Sequence, residues 1–183
     1  MSVISPDVAR LPAGAWVLDP VHSSVGFSVT YMEVSTFRSH FDEFGATLSV
    51  DEDGSARLAG TVVSNSIAVR NPEFAAHLAA PDFFDAQRHP ELRFESTLVR
   101  RDGAVVELDG LLTIKEHTLP VTATGTVVDP HEDPSGHVWM GLELETRIDR
   151  RQYGLKWNMT LPNGGFALGN EVTLQLSLAF ARA

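Results

Sequence analysis

Apolar and polar residues alternate along most of the chain with the period of two that a β-strand imposes. In the first such stretch, Val25, Phe27, Val29 and Tyr31 alternate with small polar residues and glycine. Residues 32–40 do not continue this pattern and are predicted to be irregular. The alternation returns in later stretches, at residues 44–50, 57–67, 92–98, 106–114, 119–127, 139–148 and 172–180. The pattern therefore predicts roughly eight to ten strands.

Turn signals separate several of these strands. Asp53-Gly54, Asp102-Gly103 and Asn163-Gly164 are dipeptides that favour tight turns, which join antiparallel neighbours. A meander of this kind removes its unpaired edges by closing into an up-and-down barrel. A β-sandwich with a filled core is the alternative.

Small residues on otherwise apolar strand faces favour a barrel with internal space over a filled sandwich. Gly110, Ala123 and Gly125 occupy positions that the alternation assigns to the interior. We expect them to leave room inside, and a barrel of about eight strands can hold one small ligand.

One segment has the pattern of a helix. Asn71 is a favourable N-cap, Pro72 suits the first helical position, and Glu73 complements the positive end of the helix dipole. Pro81 is expected to end the helix. The sequence thus predicts a mainly β protein with one short helical insert around residues 71–86.

Length and charge narrow the class of protein. The 183 residues fit a single domain, with residues 1–14 as a flexible extension. No apolar run is long enough to span a membrane, and the start of the chain lacks a secretory pattern, so a cytoplasmic location is expected. With 24 acidic and 14 basic residues, the net charge of −10 argues against a nucleic-acid partner.

Residues capable of catalysis or metal binding do not form a recognisable motif. The seven histidines are scattered, without the close pairs typical of zinc sites, and cysteine is absent. Asp19, His22 and Ser23 are close in sequence, but no G-x-S-x-G elbow presents a nucleophile. We expect Asp19 and Ser23 to bond backbone groups instead. No metal, cofactor or catalytic residue is predicted.

Four phrases occur in an order that resembles a known family. They are WVLDPVHSSVGFSV, AAHLAAPDFFDAQRHPELRFEST, DGLLTIKEHTLPVTATGTV and RIDRRQYGL. Together they resemble the YceI-like family, also called polyisoprenoid-binding proteins, over nearly the whole chain. The resemblance implies an extended lipocalin-like antiparallel barrel that encloses a long lipid, such as an isoprenoid, its phosphate or a fatty-acid derivative. It also implies that the chain forms a homodimer.

Candidate ligand residues follow from the strand faces and from this resemblance. The apolar set expected to line the tunnel is Phe27, Val29, Tyr31, Phe44, Phe94, Leu112 and Trp157. Side chains at element ends that suit an anionic head group are Arg38, His40, Arg70, His77 and Lys156. We expect Arg147, Arg150 and Arg151 first to pair with nearby carboxylates and only second to bind the head group.

Two other functions stay open on the sequence alone. One is an enzyme that modifies a bound lipid or small acid and uses His22 or His77 to carry a proton. The other is a stress-response interaction module whose barrel is filled by its own side chains.

Overall fold

The computed structural model describes residues 11–183, which form an antiparallel β-barrel with one short α-helix. Its strands are β1 (Gly14–Leu18), β2 (Ser24–Tyr31), β3 (Ser35–Phe41), β4 (Phe44–Val50), β5 (Ala56–Val63), β6 (Glu91–Asp102), β7 (Val105–Ile114), β8 (His117–Glu132), β9 (Val138–Asp149) and β10 (Leu168–Arg182). Helix α1 (Pro72–Ala79) lies between β5 and β6, and a 3-10 helix (Arg150–Tyr153) follows β9. The predicted barrel with one helical insert is confirmed. Most of the predicted N-terminal extension, residues 1–10, lies outside the described residues.

The barrel closes through eight of the ten strands. They follow the order β1-β4-β5-β6-β7-β8-β9-β10, and β10 pairs back onto β1. The end of β10 pairs with β1 at residues 180–182, whereas its earlier part pairs with β2 at residues 168–177. The β2–β3 hairpin therefore takes the place of β1 in one half of the barrel and makes that half wider.

The free edge of β3 is continued by the segment that leads into α1. The carbonyl of His40 accepts a hydrogen bond from Ala68 N at 2.9 Å, and Asp42 N donates to Ser66 O at 2.8 Å. An isolated bridge also joins Phe41 to Ile67. In the wider half, β2, β3 and this segment together form the part of the wall next to β10. In the narrow half, β1 alone forms that part of the wall.

The narrow half is solid. The alternating apolar residues of its strands meet in one buried cluster that includes Trp16, Leu48, Leu108 and Phe180, each at most 2% exposed. Such close packing fills the interior of an eight-stranded barrel with side chains. This half therefore supplies much of the hydrophobic stabilisation of the fold.

The prediction that residues 32–40 are irregular is wrong. Met32 and Glu33 adopt positive φ angles of 52° and 61°, and Val34 N donates to Tyr31 O at 3.1 Å, which makes a tight hairpin turn. Strand β3 begins at Ser35 and pairs with β2 along its length. Positive φ at two consecutive residues usually requires glycine or asparagine, so this turn has no recognisable signal in the sequence.

Helix α1 begins as the sequence predicts. The side chain of Asn71 accepts hydrogen bonds from Glu73 N at 2.9 Å and Phe74 N at 3.0 Å. The helix ends before Pro81, which has no N–H to continue it. Because eight residues are too few for a stable isolated helix, α1 depends on the apolar side chains that it places against the barrel.

Candidate functional site

The wider half of the barrel contains two adjoining cavities. The outer cavity has a volume of about 270 Å³ and lies beneath α1, and the inner cavity, of about 120 Å³, lies between it and the solid half. Phe41, Leu92, Leu112 and Leu174 line both cavities. The two cavities therefore adjoin at these side chains. Together they are called the hollow, which is of a size suited to a small ligand.

The inward-facing residues of β9 give the length and direction of this hollow. Leu142 belongs to the solid half, Leu144 lines the inner cavity, and Ile148 and then Arg150 line the outer cavity. Arg150, the first residue of the 3-10 helix, lies six positions after Leu144, which corresponds to roughly 20 Å at the strand rise of about 3.3 Å per residue. The hollow is thus elongated, and its inner end adjoins the buried cluster.

The mouth end is the part of the outer cavity farthest from the inner cavity. Two lining residues reach the surface there: Tyr31 is 49% exposed, and the side chain of His77 is 35% exposed. The outer cavity therefore reaches the surface at this end, whereas the inner cavity adjoins the buried cluster.

All seven side chains predicted to line a tunnel lie on the wall of this hollow. Phe27, Val29, Tyr31 and Trp157 line the outer cavity, Phe44 and Phe94 line the inner cavity, and Leu112 lines both. They meet there because the alternation of each strand directs every second residue inward. Their contact with a ligand stays a prediction.

Strand β3, helix α1 and the following turn contribute an aromatic wall that is absent from the predicted tunnel residues. The ring of Phe37 lies 5.5 Å from that of Phe74, and the ring of Phe41 lies 6.1 Å from that of Phe84. Phe83 and Leu78 also line the outer cavity. The spacing of Phe74 and Leu78, four residues apart, is the signal for a helix face that packs inward.

His77 is the only one of the five predicted head-group residues that lines a cavity. Its ring stands perpendicular to those of Phe83 and Trp157, at centroid distances of 4.9 Å and 5.1 Å. Its Nε2 lies 3.9 Å from Oδ2 of Asp82. The imidazole therefore belongs to an aromatic group at the mouth end.

The other predicted head-group residues lie outside the hollow. Arg38, His40, Arg70 and Lys156 are exposed and line neither cavity. His40 faces solvent from β3, where its Nε2 lies 3.1 Å from Asp42 Oδ1. Arg38 lies on the same outward face, two residues earlier. The structure does not bring these four side chains to the cavity wall.

Arg147, Arg150 and Arg151 lie close together in the sequence but have different roles. Arg147 lies 3.7 Å from a carboxylate oxygen of Glu171, and Arg151 lies 2.7 Å from Asp149 Oδ2. For these two, the predicted pairing with carboxylates is confirmed. Arg150 differs from both, because it is only 3% exposed and its side chain lines the outer cavity.

The guanidinium of Arg150 is held by backbone carbonyls. Nε donates to Gly169 O at 2.7 Å, Nη1 donates to Leu155 O at 2.6 Å and Trp157 O at 2.8 Å, and Nη2 donates to Leu168 O at 3.2 Å. Burial lowers the pKa of Arg150, although an arginine stays charged in proteins. For Arg150, the expected carboxylate pairing is therefore wrong.

The residues with triad-type identities do not form a catalytic group. Asp19 Oδ2 lies 2.6 Å from His22 Nδ1, but His22 is 75% exposed at the turn between β1 and β2. Asp19 Oδ1 accepts from Val21 N, and Ser23 Oγ accepts from Ala179 N at 2.9 Å. Asp19 and Ser23 thus bond backbone groups, as the sequence predicts.

Neither a metal cluster nor a membrane-spanning helix occurs in the part of the chain that the structure describes. Within residues 11–183, no three His, Cys, Asp or Glu side chains are grouped so that they could hold a metal ion. In the same range, no helix is long and apolar enough to cross a membrane.

The sequence predicts that Gly110, Ala123 and Gly125 leave room inside the barrel, and the structure shows such room only at Ala123. Ala123 lines the inner cavity. A Cβ on Gly125 would lie 1.6 Å from the carbonyl oxygen of Glu143, so glycine there permits a close approach of β8 and β9. The hollow owes its volume to the extra hairpin more than to small residues.

An antiparallel barrel with an elongated apolar hollow defines the class of β-barrels that enclose a small ligand. The sequence model of the YceI-like domain matches residues 16–180, and the chain belongs to this family. The resemblance that the four phrases indicate is thereby confirmed.

Relatives of known sequence share much of the length of the chain. A UPF0312 protein of Staphylococcus aureus (strain bovine RF122 / ET3-1) is 28% identical over 172 residues, which cover 91% of this chain and 96% of that protein. Protein YceI of Escherichia coli O157:H7 is 28% identical over 140 residues, which cover 75% of this chain and 73% of that protein.

Solved structures share the fold at lower identity. BcnA of Burkholderia cenocepacia superposes with a TM-score of 0.75 at 21% identity, over 88% of this chain and 98% of that chain. A polyisoprenoid binding domain from Saccharophagus degradans, implicated in plant cell wall breakdown, gives a TM-score of 0.66 at 13% identity, over 92% and 98% of the two chains.

Proposed function

We propose that this protein binds one long-chain amphiphilic lipid in the two adjoining cavities and carries or sequesters it. The observation that carries the proposal is the pair of adjoining, mostly apolar cavities, which reaches the surface at the mouth end. A polyisoprenoid or its phosphate, or a fatty-acid derivative, fits such a hollow. The Saccharophagus domain described as polyisoprenoid binding has the same fold and supports this ligand class by analogy.

Burial of the tail supplies the binding free energy. Each methylene group transferred from water to the wall contributes about 0.8 kcal/mol, so ten of them contribute about 8 kcal/mol before the cost of association. Nearly all the wall is aliphatic or aromatic, which makes this contribution insensitive to the chemical detail of the tail. Chain length and the polar group therefore determine which lipid binds.

Two other functions gain no support from the cavity. His22 lies at an exposed turn and lines neither cavity, and the ring of His77 packs against Phe83 and Trp157. The family and the fold favour a binding protein over an enzyme. The filled-barrel alternative conflicts with the volume of the two cavities. The homodimer and the cytoplasmic location stay predictions.

Mass spectrometry of an organic extract tests the proposal directly. Protein purified without detergent is expected to release one class of lipid in near-stoichiometric amount, and the lipid-free protein is expected to rebind hexadecanol or geranylgeraniol. Repeated absence of lipid in the extract, together with no rebinding of either alcohol, would contradict the proposal.

A matched pair of variants assigns the binding to the hollow. Leu112 lies at the junction of the two cavities, so Leu112→Trp is expected to abolish or strongly weaken rebinding. Leu111 is 41% exposed on the opposite face of β7, and Leu111→Trp adds the same bulk without touching the hollow. Equal binding by both variants would place the lipid elsewhere.

A further inference from the structure

Arg150 places a buried positive charge on the mostly apolar wall of the outer cavity. Arg93, which lines the inner cavity, differs from it because its side chain is exposed and pairs with Glu91. No described carboxylate forms an ion pair with it, since the carboxylate of Asp149 is bound to Arg151. The four carbonyls that accept its hydrogen bonds have dipoles but no net charge. The guanidinium is therefore a buried cation whose charge lacks a direct counter-ion within residues 11–183.

The hydrogen bonds also leave one donor of Arg150 without an acceptor. A guanidinium has five N–H groups, one on Nε and two on each Nη. The bonds to protein use Nε, both N–H groups of Nη1 and one of Nη2. The second N–H of Nη2 has no acceptor in the described part of the chain, and a buried donor of this kind is costly unless something else accepts from it.

The position of Arg150 matches the end of the hollow where a polar group would come to rest. On β9 and just beyond it, Leu142, Leu144, Ile148 and Arg150 lead from the solid half to the outer cavity. A lipid that enters tail first therefore places its tail against the solid half. Its head group then lies on the order of 20 Å away, at the level of Arg150.

We propose that Arg150 is the head-group contact of this cavity and that the protein prefers amphiphiles whose polar end is an anionic oxygen group, a carboxylate or a phosphate. This inference rests on the proposed lipid-binding function and names the ligand class of that site. Arginine bonds both anions through charge-assisted N–H···O contacts, which strengthen when water is excluded. The residues that the sequence predicts for this role lie outside the hollow, with the exception of His77.

Three amphiphiles with one tail test the preference. Hexadecanol, hexadecanoic acid and hexadecyl phosphate compete with a fluorescent lipid for the lipid-free protein at about pH 8, where both acids are ionised. We expect both anions to bind about tenfold or more tightly than the alcohol, in line with one charge-assisted hydrogen bond. Equal affinities of the alcohol and the anions would overturn the inference and leave the proposed function intact. Failure of all three to bind would overturn the proposed function itself.

Salt distinguishes a buried contact from an exposed one. At about 0.5 M NaCl the Debye length falls to about 4 Å, so attraction by exposed side chains such as Arg38, Arg70 or Lys156 is largely screened. The preference conferred by Arg150 is expected to persist in that salt. A preference that disappears there, or that Lys156→Met removes, would overturn the assignment to Arg150.

Substitution of the arginine itself completes the test. Arg150→Met is expected to bind hexadecanol but to lose the preference for the anions, and Arg150→Lys to retain part of it. Arg147→Met is the matched control, because it removes an exposed charge three residues away and should retain the full preference. If Arg150→Met does not fold, the results for Arg150→Lys and the salt series test whether Arg150 confers the preference. A preference unchanged in a folded Arg150→Met or in Arg150→Lys would overturn the inference.

Discussion

The ring of Phe94 lies against Gly110 across the β6–β7 pair. A Cβ on Gly110 would lie 2.5 Å from both Cε2 and Cζ of that ring and 2.6 Å from the carbonyl oxygen of Glu95. Phe94 also lines the inner cavity. Gly110 therefore fixes the position of a wall residue, and the space that its missing side chain leaves is taken by Phe94.

Substitution of Gly110 by alanine is expected to displace the Phe94 ring. Because overpacking forces side chains from their preferred rotamers, Gly110→Ala should lower the free energy of unfolding by about 1–3 kcal/mol. Urea denaturation measures the change. Gly45→Ala is the control, since a Cβ there meets nothing within 4 Å. Equal stability of the two variants would show that Phe94 accommodates the methyl group freely.

The inner cavity is expected to set the longest tail that fits. Ala123→Leu fills part of this cavity, whereas Thr124→Leu adds the same side chain on the outward face of β8. In a series of straight-chain alcohols, affinity should rise by about fourfold per methylene until the hollow is full. Competition binding should show that this rise stops at a shorter chain in Ala123→Leu. An identical limit in both variants would mean that tails do not reach the inner cavity.

Helix α1 is expected to control the rate at which lipid leaves, because it covers the outer cavity. Asn71→Ala removes the acceptor for two backbone N–H groups and should cost about 1 kcal/mol of helix stability. Faster hydrogen exchange in α1 and faster release of a fluorescent lipid should follow. Asn71→Ser retains a capping oxygen and is the control. Unchanged release in Asn71→Ala, despite faster exchange, would exclude α1 from the exit path.

The ion pair between Asp149 and Arg151 is expected to make the stability of the fold depend on pH. The hydrogen bond from Arg151 holds the pKa of Asp149 below its usual range. A depressed carboxyl pKa stabilises the folded state above the unfolded value of about 3.9, and this contribution is lost as the pH falls through the folded pKa. In Arg151→Met the pKa of Asp149 should therefore rise toward its usual value.

Carboxyl NMR titration measures that rise. The stability difference between the wild type and Arg151→Met should be present at neutral pH and should vanish in acid, as the pH falls through the lowered pKa of Asp149 in the folded wild type. Arg147→Met, whose partner is Glu171, is the control and should leave the pKa of Asp149 unchanged. An Asp149 pKa that does not respond to Arg151→Met would show that this carboxylate has another partner.

The sequence predicts the parts of the fold that depend on local chemistry. Alternation identifies the inward faces, and Gly54, Gly103 and Gly164 adopt the positive φ angles expected of their turns. The capping of α1 by Asn71 is equally local. These features are readable because a strand face, a tight turn and a helix start each depend on a few neighbouring residues.

The features that sequence analysis missed depend on residues far apart in the chain. The wide half exists because β10 pairs with β2 in one part and with β1 in another, which no single stretch indicates. Arg150 lies among charged neighbours, and β9 ends at Asp149, so no strand pattern assigns an inward direction to the Arg150 side chain. Its four carbonyl partners come from residues 155–169, where no periodic pattern predicts the path of the backbone.

The position of the tail in the hollow is the most direct test of the whole account. We expect a crystal structure with 16-bromohexadecanoic acid to show one anomalous bromine peak in the inner cavity, between Ala123 and Leu144, and the carboxylate beside Arg150. Absence of a peak from both cavities, or a peak on the outer surface of the barrel, would contradict the claim that this hollow holds a lipid tail.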